Sequence, residues 1–193
     1  NTDIGEYLHW IDSLKLSINV ATLIGHNDVR KVIMGRANRD ATTAEQQQME
    51  NIVDKAMKDG AVGFSTGLIY IPGTYSKTSE IVGLAKVAAK HHGVYATHMR
   101  DEADSVTQAI EEALTIGRDA KIPVQISHFK LSGQQNWGRS KETVPMIEAA
   151  REEGIEVTID QYPYTASSTS LSTLIPDEIL ADGQDTIKAR LER

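Results

Sequence analysis

Two short apolar runs, each closed by a histidine, set the tightest limit on how this chain can fold. Val94-Tyr95-Ala96-Thr97-His98 leads into Met99-Arg100-Asp101-Glu102, and Val124-Gln125-Ile126-Ser127-His128 leads into Phe129-Lys130. Both runs read as strands, and between them Val106, Ile110, Ala113 and Leu114 recur at helical spacing. Strands joined by a helix run parallel through a right-handed crossover. Both histidines therefore arrive at the same C-terminal edge of a sheet, the edge at which α/β folds bind ligands. Two imidazoles there suit a zinc site, because each ring offers one nitrogen to a metal and passes its other N–H to a neighbouring group. The competing reading is that each ring only satisfies backbone groups at a strand end. A matched pair, with charged residues just beyond each member, favours the metal.

The rest of the chain repeats the alternation. Ile4, Tyr7, Leu8, Ile11 and Leu14 give one apolar face to an N-terminal helix. The run Ile18 to Ile24 reads as a buried strand stopped by Gly25-His26-Asn27-Asp28, where His26 is read as organising a loop. Thr43-Ala44-Glu45-Gln46 has the pattern of a capping box, opening a helix with a stripe of Met49, Ile52, Val53 and Ala56 that Gly60 ends. Ala61 to Thr66 is the next strand, and the loop Gly67 to Tyr75 carries Tyr70, Pro72 and Gly73. A helix through Ile81, Leu84, Ala85 and Ala88 closes on His91-His92-Gly93, where rings near the last carbonyls suit a cap better than a metal. After His128, a glycine-bearing loop from Ser132 to Arg139 precedes a helix that Ser140 is placed to cap, with Val144, Ile147 and Ala150 inward. Glu156 to Asp160 is the fifth strand, and Ile179 to Arg193 reads as a final helix.

The order predicted is one helix, then five strands each separated by one helix, with a strand roughly every 30 to 45 residues. This is an α/β fold in one domain, residues 1–193, with parallel strands: an open doubly wound sheet or part of a (β/α)8 barrel. No Gly-x-Gly-x-x-Gly follows a strand and no Gly-x-x-x-x-Gly-Lys occurs, so a nucleotide-binding open sheet loses ground. The formal charge of −7 argues against a nucleic-acid partner, which needs a basic face. No apolar run approaches the roughly 20 residues that cross a bilayer, so no membrane partner is expected either. Without cysteine, no disulfide and no thiolate ligand is available. The first residues show no signal-peptide character, and the missing initiator Met hints at a piece of something longer; the compartment stays open, with the cytoplasm favoured.

Four stretches together carry a resemblance. Gly63-Phe64-Ser65-Thr66-Gly67-Leu68 with Pro72-Gly73, Thr97 to Glu102, Ile126-Ser127-His128-Phe129-Lys130, and Tyr162-Pro163-Tyr164-Thr165-Ala166-Ser167-Ser168 resemble the N-acyl-D-amino-acid deacylases of the amidohydrolase superfamily. The resemblance runs from about Ile4 to Ser170 and implies part of a (β/α)8 barrel, about strands three to seven. It implies that His98 and His128 are zinc ligands at the ends of strands five and six, and that Lys130 holds the carboxylate of an N-acyl amino acid substrate. It places Tyr162, Ser168 and Arg100 in the substrate pocket, lined also by the Gly67–Tyr75 loop. The family's His-x-His pair, its metal-bridging cysteine and its general-base Asp have no counterpart in this sequence; neither Asp160 nor Asp182 stands in that Asp's context. The chain taken alone is therefore expected to bind zinc weakly or not at all, to be inactive, and to self-associate through open sheet edges. Alternatives are a non-catalytic α/β ligand-binding module and a dihydroorotase- or hydantoinase-like ring opener.

Overall fold

Strand and helix signals become five strands and six helices among the residues that the computed structural model describes, which are 2–175, 179 and 187–189. The elements are α1 (Ile4–Ser13), β1 (Leu23–Gly25), α2 (His26–Met34), α3 (Thr43–Lys58), β2 (Gly63–Gly67), α4 (Thr78–Lys90), β3 (Val94–His98), α5 (Val106–Ala120), β4 (Val124–Ile126), α6 (Ser140–Glu152) and β5 (Val157–Ile159). All neighbouring strands are parallel and lie in chain order, β1 to β5. A doubly wound sheet reverses its strand order at a switch point, whereas a barrel wall keeps it. This sheet keeps it.

The two faces of the sheet differ as a barrel wall requires. Phe64 and Thr66, Tyr95 and Thr97, Val124 and Ile126 point to one side and are buried beneath the helices. Ser65, Gly67, Ala96, His98 and Gln125 point to the other side and are half-buried. Phe64 stacks on Tyr95 with centroids 6.0 Å apart, and each such ring contributes roughly 1.5–3 kcal/mol by leaving water. Thr66 Oγ1 lies 2.9 Å from the Tyr95 hydroxyl and donates to Thr97 Oγ1 at 2.9 Å, so the polar atoms of this layer are paired. Burial pushes the Tyr95 hydroxyl up to about 12, keeping it neutral. Strand β3 runs close against β2: a Cβ on Gly63 would stand 2.2 Å from the Val94 carbonyl oxygen. No helix among the described residues is long and apolar enough to cross a membrane.

Several local expectations are corrected. Only the end of the run from Ile18 forms the expected strand, with Ile24 fully buried: Ile18 is 72% exposed, and pairing begins only where Val62 N–H donates to the Thr22 carbonyl. Before Val62 the neighbouring backbone turns back onto α3, with Gly60 N–H donating to the Met57 carbonyl and Ala61 N–H to that of Ala56. His26 opens a helix instead of stopping a strand, which puts two helices between β1 and β2. The capping box lies one residue earlier, with Thr42 Oγ1 accepting from Glu45 N–H and the Glu45 carboxylate accepting from Thr42 N–H. Ser140 is the first residue of α6 and makes no side-chain cap. The final helix expected at 179–193 falls almost wholly outside the described residues, as does Asp182.

Candidate metal centre

Strand β3 delivers His98 directly, because its side chain alternates with buried Thr97 and so faces the open side of the sheet. His128 arrives differently. Strand β4 ends at Ile126, and His128 sits just beyond it with φ +42, a left-handed conformation uncommon for a side-chain-bearing residue. Asp160, at the end of β5, pays for that turn: its Oδ1 accepts from His128 N–H at 2.6 Å and its carbonyl from Phe129 N–H at 2.8 Å. Oδ2 of the same carboxylate accepts from Gln125 Nε2 at 2.7 Å. Asp160 thus aims a ring that the strand pattern alone would have pointed elsewhere.

The two rings meet. His98 Nδ1 and His128 Nε2 are 2.9 Å apart, with centroids 4.5 Å apart in an edge-on arrangement. Glu102 completes the group: His98, Glu102 and His128 each offer a ligand atom within 4.8 Å of the others. Lys130 Nζ donates to Glu102 Oε2 at 2.6 Å, to the His128 carbonyl at 2.9 Å and to His128 Nδ1 at 3.0 Å. Burial is the main cause holding His98 below its ordinary pKa; Glu102 opposes the shift, and the His128 and Lys130 charges add to it. At neutral pH its ring is uncharged, the form that ligates a metal.

Two atoms in the group are orphans. His98 Nε2 and Glu102 Oε1 are buried without a hydrogen-bond partner. Glu102 Oε1 is close to His128 Nδ1, at 2.9 Å, but not aligned with it as a hydrogen bond. His128 Nδ1 thus faces two groups of opposite demand, a Lys130 ammonium that donates and a carboxylate that accepts. For both facing ring nitrogens to present lone pairs to one ion, the His128 proton must sit on Nδ1, and Glu102 Oε1 is the acceptor beside it. That tautomer also releases one Lys130 donor. A carboxylate behind a ligating imidazole is the usual support for zinc, so the donor set fits the metal.

Around the centre lies a cavity of about 400 Å³ lined by Tyr70, His98, Glu102, His128, Lys130, Tyr162 and Ser168, among others. A second cavity of about 720 Å³ shares His128, Lys130 and Tyr162 and adds Trp137 and Tyr164. Lys130 Nζ stands 5.5 Å over the Tyr162 ring, whose hydroxyl is buried and unpartnered. Tyr70 lies against His98, with centroids 5.0 Å apart. Arg100 is engaged otherwise: its guanidinium is spent on Glu112 and on the carbonyls of Thr74 and Ser76. His26 lies in a separate buried group with Glu80, and His91 caps α4 and reaches Asp54 at 2.8 Å.

Glu102 and Asp160 received no role from the sequence. The only signal for Glu102 was its place four residues after His98; Asp160 acts across two strand ends, which no local pattern reveals.

No family model matches the chain. It is 41% identical over 182 residues to D-aminoacylase of Alcaligenes xylosoxydans xylosoxydans, covering 94% of this chain and 37% of that protein. It is 39% identical over 186 residues to N-acyl-D-glutamate deacylase of the same organism, covering 96% and 37%. The chain therefore spans little more than a third of these relatives' length. Among solved structures, a D-aminoacylase described as defining a novel subset of amidohydrolases superposes with a TM-score of 0.80 at 42% identity, over 83% of this chain and 34% of that one. N-acyl-D-glutamate deacylase from Bordetella bronchiseptica, complexed with zinc and a phosphonate mimic of the tetrahedral intermediate, also gives 0.80, at 45% identity over 84% and 34%.

Proposed function

Because the chain belongs to the N-acyl-D-amino-acid deacylase family of amidohydrolases, we propose that its site serves zinc-dependent hydrolysis of the amide bond of an N-acyl-D-amino acid. The observation that carries this reading is the convergence of His98 and His128 at one rim, with Glu102 behind His128 and Lys130 beside it. Zinc, when bound, supplies polarisation of the scissile carbonyl and acidification of water. His98 and His128 would hold it, and Glu102 would keep the His128 proton on Nδ1. Lys130, with the donor that this tautomer frees, pairs with the substrate carboxylate as a compact point charge. The Tyr162 hydroxyl offers a hydrogen bond from the cavity wall, and Ser168 lies on the same wall. Tyr70 covers His98 and limits water at the ring.

Three protein ligands are usual for catalytic zinc, and the sequence holds neither a His-x-His pair nor a cysteine. The purified 193-residue chain is thus expected to bind zinc only weakly and not to turn over an N-acetyl-D-amino acid. Isothermal titration tests the site. His98→Ala and His128→Ala should each weaken zinc binding by at least about 100-fold, more than loss of a mere outer partner costs. Undiminished binding in either variant overturns the assignment.

A further inference from the structure

The loop that follows β2 would be free to move if its own hydrogen bonds were all that held it. Within it Tyr70 N–H donates to the Gly67 carbonyl, Thr74 N–H to that of Tyr70 and Ser76 N–H to that of Gly73, at 2.9 to 3.1 Å. Its anchors to the rest of the fold include the Tyr70 hydroxyl, 3.1 Å from Thr169 Oγ1. Leu68 N–H donates to the His98 carbonyl at 3.1 Å, and Asn27 Nδ2 donates to the Gly67 carbonyl at 3.2 Å. The strongest anchor is Arg100. Its Nη1 donates to the Thr74 carbonyl at 2.8 Å and its Nη2 to the Ser76 carbonyl at 3.0 Å.

Arg100 is itself held in one orientation. Its Nε and Nη2 each donate to a Glu112 carboxylate oxygen at 2.9 Å, the parallel two-bond pairing that fixes a guanidinium plane. Glu112 stands on α5 and also accepts from Thr78 Oγ1, at 2.9 Å, on the first residue of α4. One carboxylate therefore ties together two helices and, through Arg100, the loop. Arg100 is two residues beyond His98, so the segment that presents the ring also carries the clamp. From the loop, the Tyr70 ring lies against His98, tilted 42° to it.

We propose that Arg100 is a positioning residue: locked on Glu112, it fastens the Gly67–Ser76 loop so that the Tyr70 ring stays seated on His98. This positioning role stands in place of the substrate-binding role that the resemblance suggested, since four of the five guanidinium donors go to Glu112 and the loop. The inference rests on the proposed function only for what the seated ring serves; the clamp itself stands or falls without metal or substrate.

The test uses the metal-free 193-residue chain. In Arg100→Met, which keeps much of the apolar stem and removes the donors, amide hydrogen exchange at Thr74 and Ser76 should quicken by about 10-fold or more, while amides in the middle of α5 hold their protection. The His98 ring-proton NMR signals, shifted by the tyrosine ring beside them, should move in the same direction as in Tyr70→Leu. A merely structural role for Arg100 would not produce that coincidence. Arg100→Lys keeps the charge but cannot span Glu112 and two carbonyls; it should show the same changes to a smaller extent, and it stands in if the Met variant does not fold. Unchanged loop exchange, or His98 signals that stay in place when Arg100 is replaced, overturns the proposal. Zinc binding undiminished in His98→Ala or His128→Ala would overturn the hydrolase reading and leave this result intact.

Discussion

Two clusters in this molecule hold the same chemical parts and do opposite things with them. Around Glu80, the carboxylate accepts from His26 Nε2 at 2.7 Å and pairs with Arg30 on its other oxygen, while Arg30 Nη2 donates to the Arg39 carbonyl at 2.6 Å. His26 and Arg30 are fully buried, and Phe64 packs edge-on against the His26 ring. Around Glu102, the carboxylate meets Lys130 on one oxygen and leaves the other buried without a hydrogen bond, next to a second histidine and an open cavity. The first cluster spends both carboxylate oxygens on the chain's own cation and ring. Each leaves one buried ring nitrogen without a hydrogen-bond partner, His26 Nδ1 in the first and His98 Nε2 in the second, but only the second keeps a carboxylate oxygen unused. A histidine at a strand end is thus structural when its carboxylate is saturated, and available when it is not.

The largest expected effect breaks the first cluster. Arg30→Ala strips the cation from Glu80 in a place water does not reach, and removing one partner of a buried pair costs about 3–5 kcal/mol. Urea unfolding of the purified chain reads it. A loss below about 1 kcal/mol, the range of exposed pairs, would mean that the two clusters are not different in kind.

How much of this contrast was legible in the sequence follows from what periodicity can carry. Strand–helix alternation and the His98 and His128 positions were visible because parallel strands deliver their last residues to one edge. The same logic gave His26 equal geometric standing, and only burial against Glu80, 54 residues away in sequence, and against Arg30, one helical turn on, separates it from the other two. Ile18 and Val20 looked like core because they are apolar, but a strand needs a neighbour to pair with. The left-handed His128 was invisible because its cause, Asp160, lies on the next strand. Arg100 was grouped with the pocket by the resemblance; its direction is decided by Glu112, on a helix face that local pattern does not connect to the strand end.

A middle-sized effect sharpens the second cluster. Glu102→Gln retains the shape but replaces the accepting carboxylate with an amide, which weakens the hold on the His128 Nδ1 proton. Zinc affinity should fall by about 10-fold to 100-fold, the usual loss when the partner behind a ligating imidazole is changed, while stability in metal-free buffer changes little beside the Arg30→Ala loss. Calorimetric titration with the wild type alongside measures both. If Glu102→Gln binds zinc as the wild type does, Glu102 belongs with Glu80 as a purely structural group.

The smallest effect is one of pH, and it separates the clusters by where it falls. Burial resists ionisation of Glu80, but hydrogen bonds from His26 and Arg30, backed by their charges, outweigh it and hold the carboxyl below 4.5. A carboxyl depressed in the folded state binds its proton more readily when unfolded. Its stabilisation is therefore present above pH 4.5 and lost as pH falls through the folded value. His98 has a folded value below 6.5, chiefly because burial disfavours its charged form. Here too the unfolded chain takes the proton first, so stability declines as pH falls below 6.5, a window that opens earlier. Denaturation of metal-free protein across this range should show both slopes. Glu80→Gln should reduce only the acid slope, which Glu45, Asp54, Asp104 and Glu142, also held below their ordinary values by hydrogen bonds, share; His98→Gln should flatten only the one that begins near 6.5. A single slope removed by both substitutions would mean that the two clusters titrate as one.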